Sequence, residues 1–294
     1  MNTLHKPVLL NEVIKSLAIQ PTDIIIDGTI GYGGHSRECL KKLGPSGQLI
    51  GFDQDNVAIN HCETFFKDPR VRLIQENFSC LGHYIDTKKI PKPTKLLLDL
   101  GFSSVQLDSI TRGFSFQHTA SLDMRMSKKT TKTAADICNH YSHQELSDIF
   151  YNYGELRHNK KLCDAILHFR KKQRIQSTDE LVLLIKKSYF FNNNRRAFIQ
   201  TVSKVFQALR IEVNDELTHL KKILNDLPTR LDKDARVSII SFQSLEDRIV
   251  KHFFRDHRDL FSPINKKVIM ATQSEIENNS RAHSAKLRSY QKVI

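Results

Sequence analysis

Apolar positions along the chain fall into two kinds of pattern. Up to about residue 111 and again from about residue 212, short unbroken aliphatic runs alternate with stretches in which apolar residues recur every three or four positions. The first kind suits strands buried on both faces, the second amphipathic helices. Ile24-Ile25-Ile26-Asp27, Gln48 to Phe52, Val71 to Gln75 and Lys95 to Gly101 are the expected strands of the first part. Leu10, Val13, Ile14 and Leu17 stripe a helix within residues 7–18, and Ser36 to Leu43 and Val57 to Phe66 are expected helices between strands. The alternation resumes with a helix from Glu212 to Leu227, a strand from Val237 to Ser241, a helix after Ser244, and last strands at Lys267 to Ala271 and Lys286 to Val293.

Between these parts, from Arg112 to Ile211, the strand pattern lapses and helix signals repeat. Ser142-x-x-Glu145 and Ser177-x-x-Glu180 fit capping boxes ahead of apolar-periodic runs, and Gly154 suits a helix end. A sheet built from both ends of the chain makes the middle an insertion. The expectation is an α/β core from residues 1–111 and 212–294, with an inserted helical domain at 112–211.

The candidate chemistry lies where strands stop. The first strand ends on Asp27 and passes into Gly28-Thr29-Ile30-Gly31-Tyr32-Gly33-Gly34. Such a turn lets a ligand approach the backbone closely. Asp53, at the end of the second strand, follows Gly31 by twenty-two residues, where an α/β nucleotide site keeps a carboxylate for ribose hydroxyls. The third strand ends near Phe78, which could wall off a base, and the fourth ends on Asp99. In an open parallel sheet all the carboxyl ends face one crevice, so Asp27, Asp53 and Asp99 should converge beside the glycine loop. Each acid could instead be a turn or helix cap; three at equivalent places favour an adenosine-containing cofactor. The residues leave NAD and S-adenosylmethionine both open, although Gly-x-Gly-Gly lacks the third glycine of the dinucleotide fingerprint.

A net charge of +13 favours a polyanionic partner such as nucleic acid. Arg157 to Arg174 carries seven Lys or Arg against the single acid Asp164, with Phe169 among them, and could track an RNA backbone or form a solvated helix face. The five cysteines are scattered without a C-x-x-C pair, which fits a reducing compartment and no disulfide framework. Cys138, His140 and His143 lie close together but lack a second ligand cluster, so no metal is expected. No apolar run reaches membrane-spanning length and no signal-peptide core opens the chain, so a soluble cytoplasmic protein is expected.

Several islands in order carry a family resemblance. They are His5 to Asn11, Asp27 to Ser36, Leu97 to Asp108, Arg112-Gly113-Phe114-Ser115-Phe116, Leu122-Asp123-Met124-Arg125-Met126, Phe206 to Ile211 and Ser241 to Arg248. With them the chain resembles the bacterial 16S rRNA cytosine-N4 methyltransferases of the RsmH (MraW) family over nearly its whole length. The resemblance implies a class I S-adenosylmethionine-dependent methyltransferase fold, a Rossmann-like α/β sheet with a helical insertion. It implies methylation of a cytosine N4 in the decoding region of 16S rRNA, with the RNA met inside the small ribosomal subunit. Gly33, Gly34, His35, Asp53, Phe78, Asp99 and Gln106 would line the S-adenosylmethionine site, with Asp27 and Gly31 beside them from the reading of the loop. Asp99, Ser103 and Ser104 are the candidates at the reacting amine, and Arg125, Arg170, Lys171 and Lys172 the candidates for RNA contact. Tyr32 stands where the family usually has arginine, Val105 and Ser280 where it has proline, Gln243 where it has histidine, and Gln200-Thr201-Val202-Ser203 where it has His-Pro-Ala-Thr. Those departures motivate a second reading, a cofactor-binding ribosome-assembly or RNA-binding factor with impaired turnover.

Overall fold

The structure is a computed structural model and describes residues 6–101 and 112–294. The chain divides into two compact units, one made of Met1–Gly101 and Leu217–Ile294 and the other of Phe102–Glu216.

The first unit is built on one mixed sheet. Its strands are β1 (Ile24–Asp27), β2 (Gln48–Phe52), β3 (Val71–Ile74), β4 (Lys95–Asp99), β5 (Arg236–Ser241), β6 (Phe261–Pro263), β7 (Ile269–Met270) and β8 (Lys286–Lys292). They lie in the order β3-β2-β1-β4-β5-β8-β6, with β7 also pairing with β8. The first five are mutually parallel, while β8 runs antiparallel to β5, β6 and β7. The sequence steps outward from β1 to β3, returns, and continues on the other side with β4. The order therefore reverses between β1 and β4, and ligands of open α/β sheets bind at the carboxyl ends beside such a reversal.

Period-two alternation sorts the strand residues onto two apolar faces. Ile26, Ile50, Phe52, Leu96, Leu98, Val237 and Ile239 pack in one cluster with Leu220, Ile223, Leu224 and Leu227 of the helix Glu216–Arg230 and with Val250 and Phe254 of the helix Ser244–Asp256. Ile25, Leu49, Leu97, Ile240 and Leu287 pack in another with Val13 and Leu17 of the helix Leu10–Leu17 and Cys39 of the helix Gly34–Leu40. Burial on both faces explains why these strands read as unbroken aliphatic runs.

The second unit is helical among its described residues. Helices Ala134–His140, His143–Asn152, Lys160–Arg170, Thr178–Ser188 and Arg195–Asn214 enclose an apolar core that includes Ile137, Cys138, Phe150, Ile166, Leu184, Val205 and Leu209. Capping boxes start the helices after Ser142 and Ser177, as expected, and a third, Thr133 with Asp136, starts the first of them.

Two boundaries differ from the sequence reading. Glu212 does not begin a helix; it lies within Arg195–Asn214, and the break comes at Asp215, whose φ of 49° ends one helix before Glu216 opens the next. Aspartate tolerates that left-handed conformation, and nothing in the apolar spacing marks it. The strand Phe261–Pro263 was not anticipated, because three residues ending in proline suit only a sheet edge. Among the described residues no helix is long and apolar enough to cross a membrane.

Candidate functional site

The site is assembled by the carboxyl ends of β1, β2 and β4. Past Asp27 the chain is pinned between its neighbours: Gly28 N–H donates to the Leu97 carbonyl at 2.9 Å and Ile30 N–H to the Phe52 carbonyl at 2.9 Å. A side chain at Gly28 would meet Leu98 Cδ2 at 2.5 Å, so close strand packing demands glycine there. The loop then turns through Gly31 (φ 51°) and Gly33 (φ 74°) into the helix Gly34–Leu40. Gly33 lies against Phe65 and Phe66, which a β-carbon would approach to 2.8 and 2.7 Å. At Gly31 the same atom would meet no described atom nearer than the Thr29 carbonyl at 3.8 Å, an ordinary contact, so the described residues do not crowd this part of the loop.

The three strand-end acids do different work. Asp27 is buried and accepts hydrogen bonds from Ser36 Oγ at 2.7 Å and Thr29 N–H at 3.1 Å. Asp53 accepts from Gly31 N–H at 3.0 Å and Asp55 N–H at 2.8 Å, holding the glycine loop to the end of β2. Asp99 is placed by its own backbone N–H, which donates to Thr29 Oγ1 at 2.6 Å. Among the described residues its Oδ1 is buried with no hydrogen-bond partner, while Oδ2 lies 3.8 Å from His35 Nδ1. The His35 ring is fixed by a 2.9 Å hydrogen bond between Nε2 and the Val8 carbonyl.

Crowding three carboxyls into a desolvated edge raises their affinity for protons. Burial pushes Asp27 up to about 6, against the pull of Ser36 and Thr29, and pushes Asp53 up to about 6 against the two backbone donors. Asp99 goes furthest, to about 8, through burial first and then the negative charges of Asp27 and Glu246. An uncompensated acidic crevice of this kind favours a cationic ligand, whose charge would bring all three acids back toward their ordinary range.

Phe78 opens a short 3-10 turn, Phe78–Cys80, capped by Asn77, and packs on the sheet cluster at the end of β3. Ser103, Ser104 and Gln106 lie outside the described residues. The site residues that sequence reasoning missed are Thr29, Ser36 and Glu246. All three stand inside islands already singled out, but only the fold shows which aspartate each acts upon.

In the helical unit, two of the four candidate RNA contacts are committed to the unit itself. Arg125 pairs with Asp123 through Nε and Nη2 at 2.8 and 2.7 Å and donates Nη1 to the Thr130 carbonyl. Arg170 donates to the carbonyls of Cys138 and Tyr141 at 3.1 and 2.6 Å. Lys171 and Lys172 are exposed. Cys138 is buried in the core, and among the described residues no group of three or more His, Cys, Asp or Glu could hold a metal ion.

A parallel sheet ordered 3-2-1-4-5 and extended by an antiparallel strand, with a glycine turn after the first strand and acids at the ends of the first, second and fourth, is the arrangement of class I methyltransferases. The chain matches the model of the MraW methylase family over residues 2–293 and belongs to that family. Among its relatives, the ribosomal RNA small subunit methyltransferase H of Dictyoglomus turgidum is 42% identical over 293 residues, covering 97% of this chain and 96% of that protein. The proteins of the same name from Bacteroides fragilis and Clostridium botulinum are each 40% identical, the first covering 97% of this chain and 96% of that protein, the second 100% of both.

Proposed function

We propose that the protein transfers a methyl group from S-adenosylmethionine to the exocyclic N4 of a cytosine in the decoding region of 16S rRNA, acting on the small ribosomal subunit in the cytoplasm. The observation that carries this reading is the convergence of Asp27, Asp53 and Asp99 on one glycine loop at the sheet's carboxyl edge, in a chain whose relatives bear the name of small-subunit rRNA methyltransferases.

The residues fit such a cofactor. Among the described residues Asp99 Oδ1 is a buried acceptor without a partner, and a β-carbon at Gly31 or Gly101 would meet no described atom nearer than 3.8 Å, so neither glycine is crowded by the described residues. Gly31, Gly33, Gly34 and His35, at the glycine turn and the start of its helix, are assigned to the cofactor, with Asp53 assigned to the ribose, Phe78 to the adenine and Gln106 by family resemblance. When bound, S-adenosylmethionine supplies an electrophilic methyl carried on a sulfonium centre.

The nitrogen of a cytosine amine is a weak nucleophile because its lone pair is delocalised into the ring. The chain therefore has to align it and hold its protons. Proximity and orientation can supply much of the acceleration. Asp99 is assigned to that orientation through Oδ1, and Ser103 and Ser104, which follow it in sequence, are assigned to the target base. With the cofactor bound, this alignment would let the methyl pass to the amine as its bond to sulfur broke, the thioether product leaving and the released amine proton passing to solvent. The base must be unstacked to reach such a crevice, which calls for a grip on the surrounding RNA; Lys171 and Lys172 are assigned to it.

The test is transfer of labelled methyl to small subunits from a strain lacking the modification, comparing the native protein with Asp99→Ala. Incorporation at one cytosine N4, lost in the variant, supports the reading. If S-adenosylmethionine binds and subunits are engaged but no methyl moves, the reading fails in favour of an assembly or RNA-binding factor, for which the glutamine at position 243 is the motivation.

A further inference from the structure

The helical unit carries an aromatic side chain that its fold does not use. Phe190 is 93% exposed, the most exposed large hydrophobic side chain among the described residues. It sits in the turn between the helices Thr178–Ser188 and Arg195–Asn214. Its neighbours Tyr189 and Phe191 both turn inward and pack on the core of the unit, Phe191 meeting Phe198 edge-on with ring centroids 5.2 Å apart. Tyr189 is in extended backbone, where successive side chains point to opposite sides, so anchoring the two flanking rings drives the Phe190 ring outward.

The turn is shaped rather than slack. Asn192 and Asn193 take left-handed φ values of 42° and 56°, and Asn194 caps the next helix by accepting from Ala197 N–H at 3.0 Å. Asparagine tolerates that conformation better than most residues.

Cations flank the ring in sequence. From Leu181 to Ile211 the chain contains no Asp or Glu and six Lys or Arg. Lys186, Lys187, Arg195 and Arg196 flank Phe190 on either side and are exposed. Ser188 Oγ donates to the Lys161 carbonyl at 3.4 Å, which brings the start of the helix Lys160–Arg170 and the exposed Lys161 to the same end of the unit. Asp164, the acid on that helix, faces His143 at 3.3 Å. The two lysines at the end of Thr178–Ser188 complement the helix dipole and have a folding role. The two arginines do the reverse. They open the helix Arg195–Asn214, where positive charge is disfavoured by the dipole, so they do not serve the helix and a nearby anion would relieve them.

We propose that this turn is a contact for single-stranded RNA, in which an unpaired base stacks on Phe190 while Lys186, Lys187, Arg195 and Arg196 hold the flanking phosphates. An exposed aromatic flanked in the chain by exposed cations matches a polyanion whose subunits carry a flat face, because bases stack on aromatics and phosphates draw Lys and Arg. The inference rests on the rRNA reading above and deepens it, by adding a surface that selects unpaired nucleotides.

The chain contains no tryptophan, so Phe190→Trp gives a single reporter at the contact. The full-length protein is titrated with a short unstructured RNA oligomer and with the same strand annealed to its complement. Emission of Phe190→Trp is expected to be quenched by the single strand and not by the duplex. Phe190→Ala should weaken single-strand binding about tenfold with duplex binding nearly unchanged, and Arg195→Glu with Arg196→Glu should weaken both and flatten the salt dependence. Unaltered emission in both titrations, native single-strand affinity in Phe190→Ala, or equal losses on single strand and duplex would each overturn the proposal. So would an effect of Phe190→Ala seen only with intact subunits and not with naked RNA, which would mark a protein contact. The two readings separate cleanly. Quenching by RNA in a protein that transfers no methyl defeats the enzymatic reading alone, and methyl transfer with native RNA affinity in Phe190→Ala defeats the stacking surface alone.

Discussion

The backbone N–H of Asp99 donates to Thr29 Oγ1 at 2.6 Å, tying the end of β4 to the glycine loop that follows β1. One hydroxyl thus sets the distance between the two halves of the crevice. Thr29→Val removes the acceptor while keeping the shape, and leaves a backbone donor unpaired in a desolvated edge. We expect a stability loss of about 1–3 kcal/mol and a larger proportional loss of methyl transfer, with Thr29→Ser restoring both. Thermal denaturation and initial rates on small subunits, measured side by side, check it.

Asp99 also makes stability depend on pH. Its native carboxyl titrates at about 8, against 3.8 for an ordinary aspartate, so between those values the folded state holds a proton that the unfolded state has released. Stability of the ligand-free protein therefore falls as pH rises from about 4 to about 8, and Asp27 and Asp53, at about 6, add to the first half of that fall. Asp99→Asn removes its share. The variant should melt above the native protein near pH 8 and alongside it near pH 4, while binding S-adenosylmethionine more weakly. A melting series across that range tests the sign, and a native stability that rises toward pH 8 through this residue would refute it.

The two glycines of the loop separate packing from access. Gly33→Ala has to displace Phe65 and Phe66 and adopt a φ of 74°, so it should lower the melting temperature as well as cofactor affinity. Gly31→Ala meets no described atom nearer than 3.8 Å and carries the cost of its φ of 51°, roughly 1 kcal/mol. Its methyl group adds bulk to the turn assigned to the cofactor. Cofactor affinity should therefore fall more steeply than stability, which calorimetric titration beside a melting curve will separate.

Much of this site could be read from the sequence because parallel strands convert sequence pattern into place. Asp27, Asp53 and Asp99 each close an aliphatic run, and runs buried on both faces align their carboxyl ends at one edge. What could not be read are the relations between side chains that meet only through strand order. Thr29 reaching the Asp99 N–H across seventy positions is one, and Glu246 raising the proton affinity of Asp99 is another. Local chemistry was equally silent at Asp215, where the αL break between two helices follows from a single backbone choice rather than from any lapse in periodicity. Arg170 shows the same limit, since a run of positive charge does not say which members are spent on carbonyls of their own unit.

That last distinction gives a test with opposite outcomes for adjacent residues. Arg170 satisfies the carbonyls of Cys138 and Tyr141 at the end of the helix Ala134–His140, so Arg170→Ala unpairs acceptors inside the helical unit. Its expected effect is a destabilisation of about 1–3 kcal/mol, with RNA affinity reduced only in proportion to the unfolded fraction. Lys171 and Lys172 are exposed, and replacing an exposed lysine rarely moves stability by more than about 0.5 kcal/mol. Lys171→Ala with Lys172→Ala should leave the melting temperature unchanged, weaken RNA binding at low salt, and reduce the slope of log affinity against log salt by about one for each phosphate no longer neutralised. Equal melting temperatures for the native protein and both variants would mean that the Arg170 hydrogen bonds contribute nothing to stability. An unchanged salt slope in the lysine pair would remove that stretch from the RNA grip and leave the Phe190 turn as its remaining site on the helical unit.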